Sequence, residues 1–236
     1  MIRPGSVPVL LEDEHLLAVD KPAGRLVIPG RRGDEPSLVE ELVAIHGRLW
    51  VVHRLDRGTT GVILFARSAE AHRALNLAFD RGEPRKRYLA LVAGTPPAEF
   101  RVELALSPGR RGLMRVARAG DPRGKPSVTT FRLVEAFVAR AGAGGGMALV
   151  EAFPETGRTH QIRVHLAQAG HPLVVDPDYG SREPLFGPDG QVLLARTPLH
   201  AERLEVVHPA SGERLVLTAP IPGDIAGALA ALRARV

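Results

Sequence analysis

The nine residues His53-Arg-Leu-Asp-Arg-Gly-Thr-Thr-Gly61 set one carboxylate between two arginines, in a segment that two glycines allow to turn tightly. A carboxylate beside guanidinium groups is favoured in its charged form, and a charged carboxylate can act as nucleophile or base. Asp56 is therefore the candidate catalyst, although a surface ion pair would produce the same tripeptide Arg54-Leu55-Asp56. A second chemistry-bearing stretch is Pro154-Glu-Thr-Gly-Arg158-Thr-His160-Gln-Ile-Arg163-Val-His165. It reads as a turn feeding a helix, and a donor-rich helix N-terminus suits a phosphate. His160, His165 and His171 invite a metal reading. On a helix of 3.6 residues per turn the first two stand about 140° apart, unlike the His-x-x-x-His pair of zinc enzymes, so no metal site is read. A third stretch, Lys86-Arg-Tyr88, carries a phenol that alternates with Ala90 and Val92 along a strand. Such a tyrosine is either a core residue with a satisfied hydroxyl or a ring offered to a ligand.

These residues need elements to hold them. Val7 to Leu11 and His15 to Asp20 read as a hairpin, which Lys21-Pro-Ala-Gly24 breaks. Ser37 to Glu40 has capping-box spacing before a helical stripe of Leu38, Val39, Leu42, Val43 and Ile45 that ends at Gly47. Apolar segments on both sides, Leu49 to His53 and Val62 to Phe65, make the Asp56 motif a strand-loop-strand connection. Ser68 caps a helix through about Asp80, with Ala71, Leu75, Ala78 and Phe79 on one face and Gly82 as its stop. From Glu99 to Phe137 the pattern is strand-like, with basic interruptions at Gly109–Gly112 and Arg123–Pro126 that fit ligand-contacting loops and solvated turns equally. The glycine run Ala141–Gly146 lacks the Lys-Ser/Thr of a P-loop and reads as a hairpin loop. Ile162, Leu166 and Ala169 form the stripe of the second motif's helix, with Gly170 as its stop. Leu199 onward and Arg214 to Thr218 read as paired strands, and Asp224 as the cap of a last helix. Strands joined as hairpins with helices between some of them indicate a mixed α+β fold.

Composition narrows the function. A chain of 236 residues can bury a sizeable core, and it has no cysteine, which excludes a disulfide framework, a thiol nucleophile and a cysteine-rich zinc site. No window approaches the roughly 20 apolar residues of a membrane span, and a cytoplasmic location is the expectation. The formal net charge of +5 suits a polyanionic partner, yet three lysines against 28 arginines is also what a GC-rich genome would produce. Aromatics make up 4% of the chain, which argues against a platform that stacks many bases.

The motifs taken together resemble the RluA-type pseudouridine synthases. The resemblance is carried by His53-Arg-Leu-Asp56 with Thr59-Thr-Gly61, by Lys21-Pro-Ala-Gly24 and by Lys86-Arg-Tyr88. It is carried further by Thr156-Gly-Arg-Thr-His-Gln-Ile-Arg163 with Gly170-His-Pro-Leu173, and by the turn His208–Gly212. Thr60 replaces the usual serine and keeps a hydroxyl, and Val175 stands where many relatives have glycine. The resemblance implies a mixed α+β fold with a mostly antiparallel central sheet, flanking helices and a cleft across the sheet. It further implies one catalytic domain over residues 1–236 without an N-terminal S4 domain, acting as a monomer and without a cofactor or metal. The implied activity is isomerisation of a specific uridine to pseudouridine in structured RNA, ribosomal or transfer, with a stem-loop as the simplest target. Asp56 is then the attacking or proton-abstracting carboxylate, Tyr88 the ring under the flipped base and a proton acceptor, and Arg163 the partner of the carboxylate. Arg54, Arg57, Arg158 and His160 would line the RNA entrance. Whether Asp56 attacks sugar or base, or removes a sugar proton, stays open. The competing readings are a non-catalytic RNA-binding or RNA-folding protein and a metal-dependent nuclease, for which no motif supplies a carboxylate pair.

Overall fold

Leu16–Val19 and Val62–Phe65 are apolar without interruption, a pattern expected of strands buried on both faces. The computed structural model describes residues 7–30, 35–137 and 145–234, and the chain falls into two compact units. The first comprises Met1–Lys86 with Ala201–Pro220 and the second Arg87–His200 with Ile221–Val236.

In the first unit, β1 (Val9–Glu12), β2 (Leu16–Lys21) and β4 (Thr60–Ala66) are neighbours in that order, with β3 (Trp50–Val51) also on β4. The strand β12 (Leu199–Val207), from Ala201 onward part of this unit, follows β4 and carries β13 (Arg214–Thr218). The pairs β1–β2, β2–β4, β3–β4 and β12–β13 are antiparallel. Leu16, Ala18, Val62, Leu64, Leu204 and Val206 share one face with Ala71 and Leu75 of helix α2 (Ala69–Asp80). Leu17, Val19, Ile63 and Phe65 point to the opposite face and are equally buried, so both faces of the central strands are covered. Ser68 caps α2 by accepting the Ala71 N–H at 3.1 Å. Helix α1 (Leu38–His46) has the capping box that its sequence indicates, Ser37 N–H donating to Glu40 at 2.8 Å. Its stripe is narrower than the sequence implies: Leu38 and Leu42 are buried, whereas Val43 and Ile45 are 40% and 72% exposed. A helix of nine residues lying on one flank of a unit has room for only one buried ridge.

In the second unit, β5 (Arg85–Ala93, from Arg87 onward), β9 (Met147–Pro154), β8 (Lys125–Phe137), β6 (Glu99–Pro108) and β7 (Met114–Val116) follow one another in an antiparallel sheet. A short hairpin pairs β10 (Leu185–Phe186) with β11 (Val192–Leu194). Helix α3 (Gln161–Gln168) packs Ile162 and Leu166 on Ala90, Val92, Ala148, Val150 and Ala152. Helix α4 (Gly223–Arg233) packs Ile225, Leu229 and Leu232 with Leu91 and Leu149, the alternate residues of the same strands. The α+β class expected from the sequence is thus the observed one. The expected cap of α4 moves by two positions: Pro222 is the N-cap, and Asp224 lies inside the first turn, where it pairs with Arg196 at 2.6 Å. The first intrahelical bond runs from the Ala226 N–H to the Pro222 carbonyl at 2.9 Å, which sets the helix start ahead of Asp224. Most of the glycine run Ala141–Gly146 lies outside the described residues; its flanks pair as a hairpin from Phe137 opposite Met147.

The last glycine of the Asp56 motif has a steric cause. At Gly61, φ is +111°, and a Cβ would stand 2.2 Å from the Ala201 carbonyl oxygen. Both obstructing atoms and strand pairing belong to backbone, which cannot swing aside. Gly61→Ala is therefore expected to lose on the order of 3 kcal/mol or more of stability. A urea unfolding midpoint equal to that of the parent would refute this account of the glycine.

Candidate active site

Asp56 sits half-buried in the loop between β3 and β4, and its carbonyl accepts the Thr59 N–H at 3.1 Å to close the turn. Each of its neighbours has a structural duty. Leu55 is buried at 8% exposure. His53 Nε2 accepts the Leu64 N–H at 2.9 Å, satisfying a β4 donor beside the point where β3 ends, and its ring stacks on Phe79 at 5.0 Å. An acceptor at Nε2 requires a neutral ring. Desolvation, with the Lys86 charge adding to it, pushes the His53 pKa down to about 3.

The loop is laced to the turn after β2. Lys21 is fully buried, and its Nζ donates to the carbonyls of Pro22 at 2.9 Å and Arg57 at 3.2 Å. Gly24 N–H donates to the same Arg57 carbonyl at 2.8 Å, and Arg57 Nε returns a bond to the Gly24 carbonyl at 2.9 Å. Arg57 Nη2 also meets the exposed Glu35 at 3.0 Å. An ammonium group is buried only where hydrogen bonds repay its lost hydration, so Lys21-Pro-Ala-Gly24 is a clamp on the peptide that follows Asp56. Arg54 is exposed on the same loop.

In the second unit the motif after β9 forms a buried relay. Gln161 Oε1 accepts from Thr156 Oγ1 at 2.7 Å and from the Arg158 N–H at 2.9 Å, while its amide donates to the Val128 carbonyl and to Thr129 Oγ1, both at 3.0 Å. Ser127 Oγ donates to the Leu104 carbonyl at 2.6 Å, which leaves it to accept from His165 Nε2 at 2.8 Å. Thr129 Oγ1 then donates to His165 Nδ1 at 2.9 Å, completing a chain with every proton assigned. His165 is therefore a neutral structural residue, and desolvation pushes its pKa down to about 4. An unfolded histidine titrates near 6.5, so the unfolded chain takes up the proton first as pH falls. The stability held by this histidine is intact above pH 6.5 and is lost between there and about pH 4, at about 1.4 kcal/mol per pH unit. His165→Gln should lower stability at pH 7 and flatten the fall between pH 6.5 and 4, read by urea unfolding. An unchanged slope would contradict the assignment.

Arg163, in the first turn of α3, is buried and held on one edge by two carboxylates. Its Nε and Nη2 grip Asp176 at 2.8 and 2.6 Å, and Nη2 reaches Asp178 Oδ2 at 2.7 Å. Asp176 is 1% exposed and also accepts the backbone N–H groups of Asp178 and Tyr179. The Tyr179 ring lies under the guanidinium, 5.0 Å from its carbon. His160 precedes α3 in a left-handed conformation, φ 53°, and its Nδ1 is 2.8 Å from the Tyr179 hydroxyl. Arg158 is exposed, with its Nε on the Pro126 carbonyl at 3.3 Å.

Of the residues read as functional, Arg54, Asp56 and Arg57 thus share one loop of the first unit. Arg158, His160 and Arg163 share the N-terminal end of α3 in the second, where Tyr88 also lies, opposite Ala152 on β5 and partly buried against the core that α3 covers. Sequence reasoning missed Lys21, Asp176, Asp178 and Tyr179 as parts of the machinery. The signal for the last three was present in Asp176-Pro-Asp-Tyr179, a carboxylate-rich turn shortly after an arginine on a helix face.

Comparison with known proteins gives the family. The RNA pseudouridylate synthase family is matched over residues 15–168, a span that includes both motif segments. A ribosomal large subunit pseudouridine synthase D from Nitrosomonas europaea is 39% identical over 233 residues, which are 95% of this chain and 65% of that protein. Its namesake from Xanthomonas campestris is 38% identical over 98% of this chain and 71% of its own length. The chain therefore spans about two thirds of the length of these relatives. Among solved structures, human RNA pseudouridylate synthase domain containing 4 superposes with a TM-score of 0.73 at 25% identity, covering 96% of this chain and 93% of that one. With family match, relatives and fold in agreement, the chain belongs to the RNA pseudouridylate synthase family.

Proposed function

We propose that this protein is an RNA pseudouridine synthase that isomerises a uridine of ribosomal large-subunit RNA, presented on a stem-loop, working as a cytoplasmic monomer. The observation that carries the reading is the family match across residues 15–168, which takes in the Asp56 loop and the Arg163 helix alike. The ribosomal target rests on relatives named ribosomal large subunit pseudouridine synthases. The reaction breaks the N1–C1′ glycosidic bond, turns the retained uracil and joins C5 to C1′, with release of the C5 proton. Neither redox change nor transfer from a second substrate is involved, so side chains suffice. In this reading Asp56 is the carboxylate that acts on the nucleoside and Arg163 the cation that serves it. Tyr88 stands under the flipped base and receives the C5 proton, and Arg54, Arg57, Arg158 and His160 contact the RNA. The edge grip of Asp176 on Arg163 supports that role, because a guanidinium fixed on one side has little freedom left to lose.

Nucleoside analysis of digested RNA after incubation with the purified protein tests the proposal. Pseudouridine gained in proportion to uridine lost, in intact strands and in isolated hairpins, is the expected result. Strand cleavage would point to a nuclease, and unchanged RNA that binds the protein would point to a non-catalytic module.

A further inference from the structure

The phenol oxygen of Tyr179 is used twice. It accepts the Met114 N–H of β7 at 2.7 Å and lies 2.8 Å from His160 Nδ1. While it accepts from Met114 the phenol still has its own proton to give, and His160 Nδ1 is the one acceptor within reach of it among the described residues. Desolvation raises the Tyr179 pKa, which keeps that proton in place at neutral pH. His160 Nδ1 is then an acceptor, and the ring carries its own proton on Nε2. The rings meet edge to face at 5.6 Å, so orientation as well as tautomer is set. His160 is also the one non-glycine residue at positive φ among the described residues, a strain of about 1 kcal/mol that surrounding contacts must hold. The same tyrosine ring backs the guanidinium of Arg163.

We propose that Tyr179 is a positioning residue for the RNA reaction with two separable duties. Its hydroxyl fixes His160 as the Nε2–H tautomer, so that His160 meets the RNA as a neutral donor, and its ring steadies Arg163. The inference rests on the proposed function and deepens it, because it assigns how one RNA-contacting side chain and one reaction-serving cation are prepared before substrate arrives. The two duties fall on different kinetic constants: the hydroxyl on RNA binding, the ring on turnover.

Nitrogen-15 spectra of the histidine rings, with His160→Ala to assign the signal, test the first duty in the parent protein without any activity. A protonated Nε2 and bare Nδ1 on His160 are expected, changing to a tautomer mixture in Tyr179→Phe. In kinetics, Tyr179→Phe should raise KM about two- to threefold, as the fraction of His160 rings carrying Nε2–H falls, with kcat within threefold. Tyr179→Leu, which also removes the ring, should lower kcat about tenfold further. His160→Ala, which removes the donor altogether, should raise KM about tenfold, the size of one net hydrogen bond, and the double variant with Tyr179→Phe should be no worse than His160→Ala alone, because the two act as one unit. A parent His160 protonated on Nδ1, or losses that add in the double variant, would overturn the proposal. A parent with the expected tautomer that leaves uridine unconverted would instead count against the proposed function.

Discussion

Asp56→Asn should leave a folded, RNA-binding protein that does not turn over. The substitution keeps size and shape, and the bond that closes the loop comes from the Asp56 backbone carbonyl, not from its carboxylate. The clamps on the loop, Lys21 and Gly24 on the Arg57 carbonyl and His53 on the Leu64 N–H, do not use the side chain of residue 56 either. Loss of the reacting group should therefore appear in kcat alone, by about 10⁴-fold or more. RNA affinity should remain within threefold and the protein should still unfold cooperatively in urea. Residual turnover within tenfold of the parent would remove Asp56 from the chemistry.

Arg163→Met should fail for two reasons that can be separated. It removes the cation proposed to serve Asp56, with an expected loss of about 10³-fold in kcat. It also strands the carboxylate of Asp176, which is 1% exposed and bonded to Arg163 at 2.6 and 2.8 Å. Leaving one member of a buried ion pair uncompensated costs about 3–5 kcal/mol. Adding Asp176→Asn to Arg163→Met neutralises the stranded group, so much of the stability should return while activity does not. Denaturant unfolding and single-turnover rates measured on the same samples make the comparison. If the double variant recovered activity to within tenfold of the parent, Arg163 would be a folding residue only.

Local periodicity was enough for most of the fold. Alternation placed Tyr88, Ala90 and Val92 on one face of β5, and capping signals located Ser37 and Ser68 at the starts of α1 and α2. It misjudged α1, where Val43 and Ile45 are apolar yet exposed, because helical spacing says nothing about how wide a neighbour is available. At the candidate site, residues contiguous in sequence were legible: Asp56 with its arginines, and Arg158 to Arg163. What was not legible depends on partners distant along the chain. Lys21 reaches the Arg57 carbonyl from 36 residues away, and Ser127 and Thr129 on β8 fix the ring of His165. Gly61 looked like turn flexibility, whereas its cause is the Ala201 backbone on β12. Nothing in the spacing ties Tyr179 to both His160 and Met114.

Release of tritium from RNA labelled at uridine C5 reports the proposed isomerisation itself, since only a reaction that makes a bond at C5 and expels its proton frees the label. The parent protein is expected to release one tritium for each pseudouridine formed, from strands that stay intact, and Asp56→Asn at the same concentration none above background. Equal release by the parent and by Asp56→Asn, or conversion of RNA by neither at saturating protein, would contradict it.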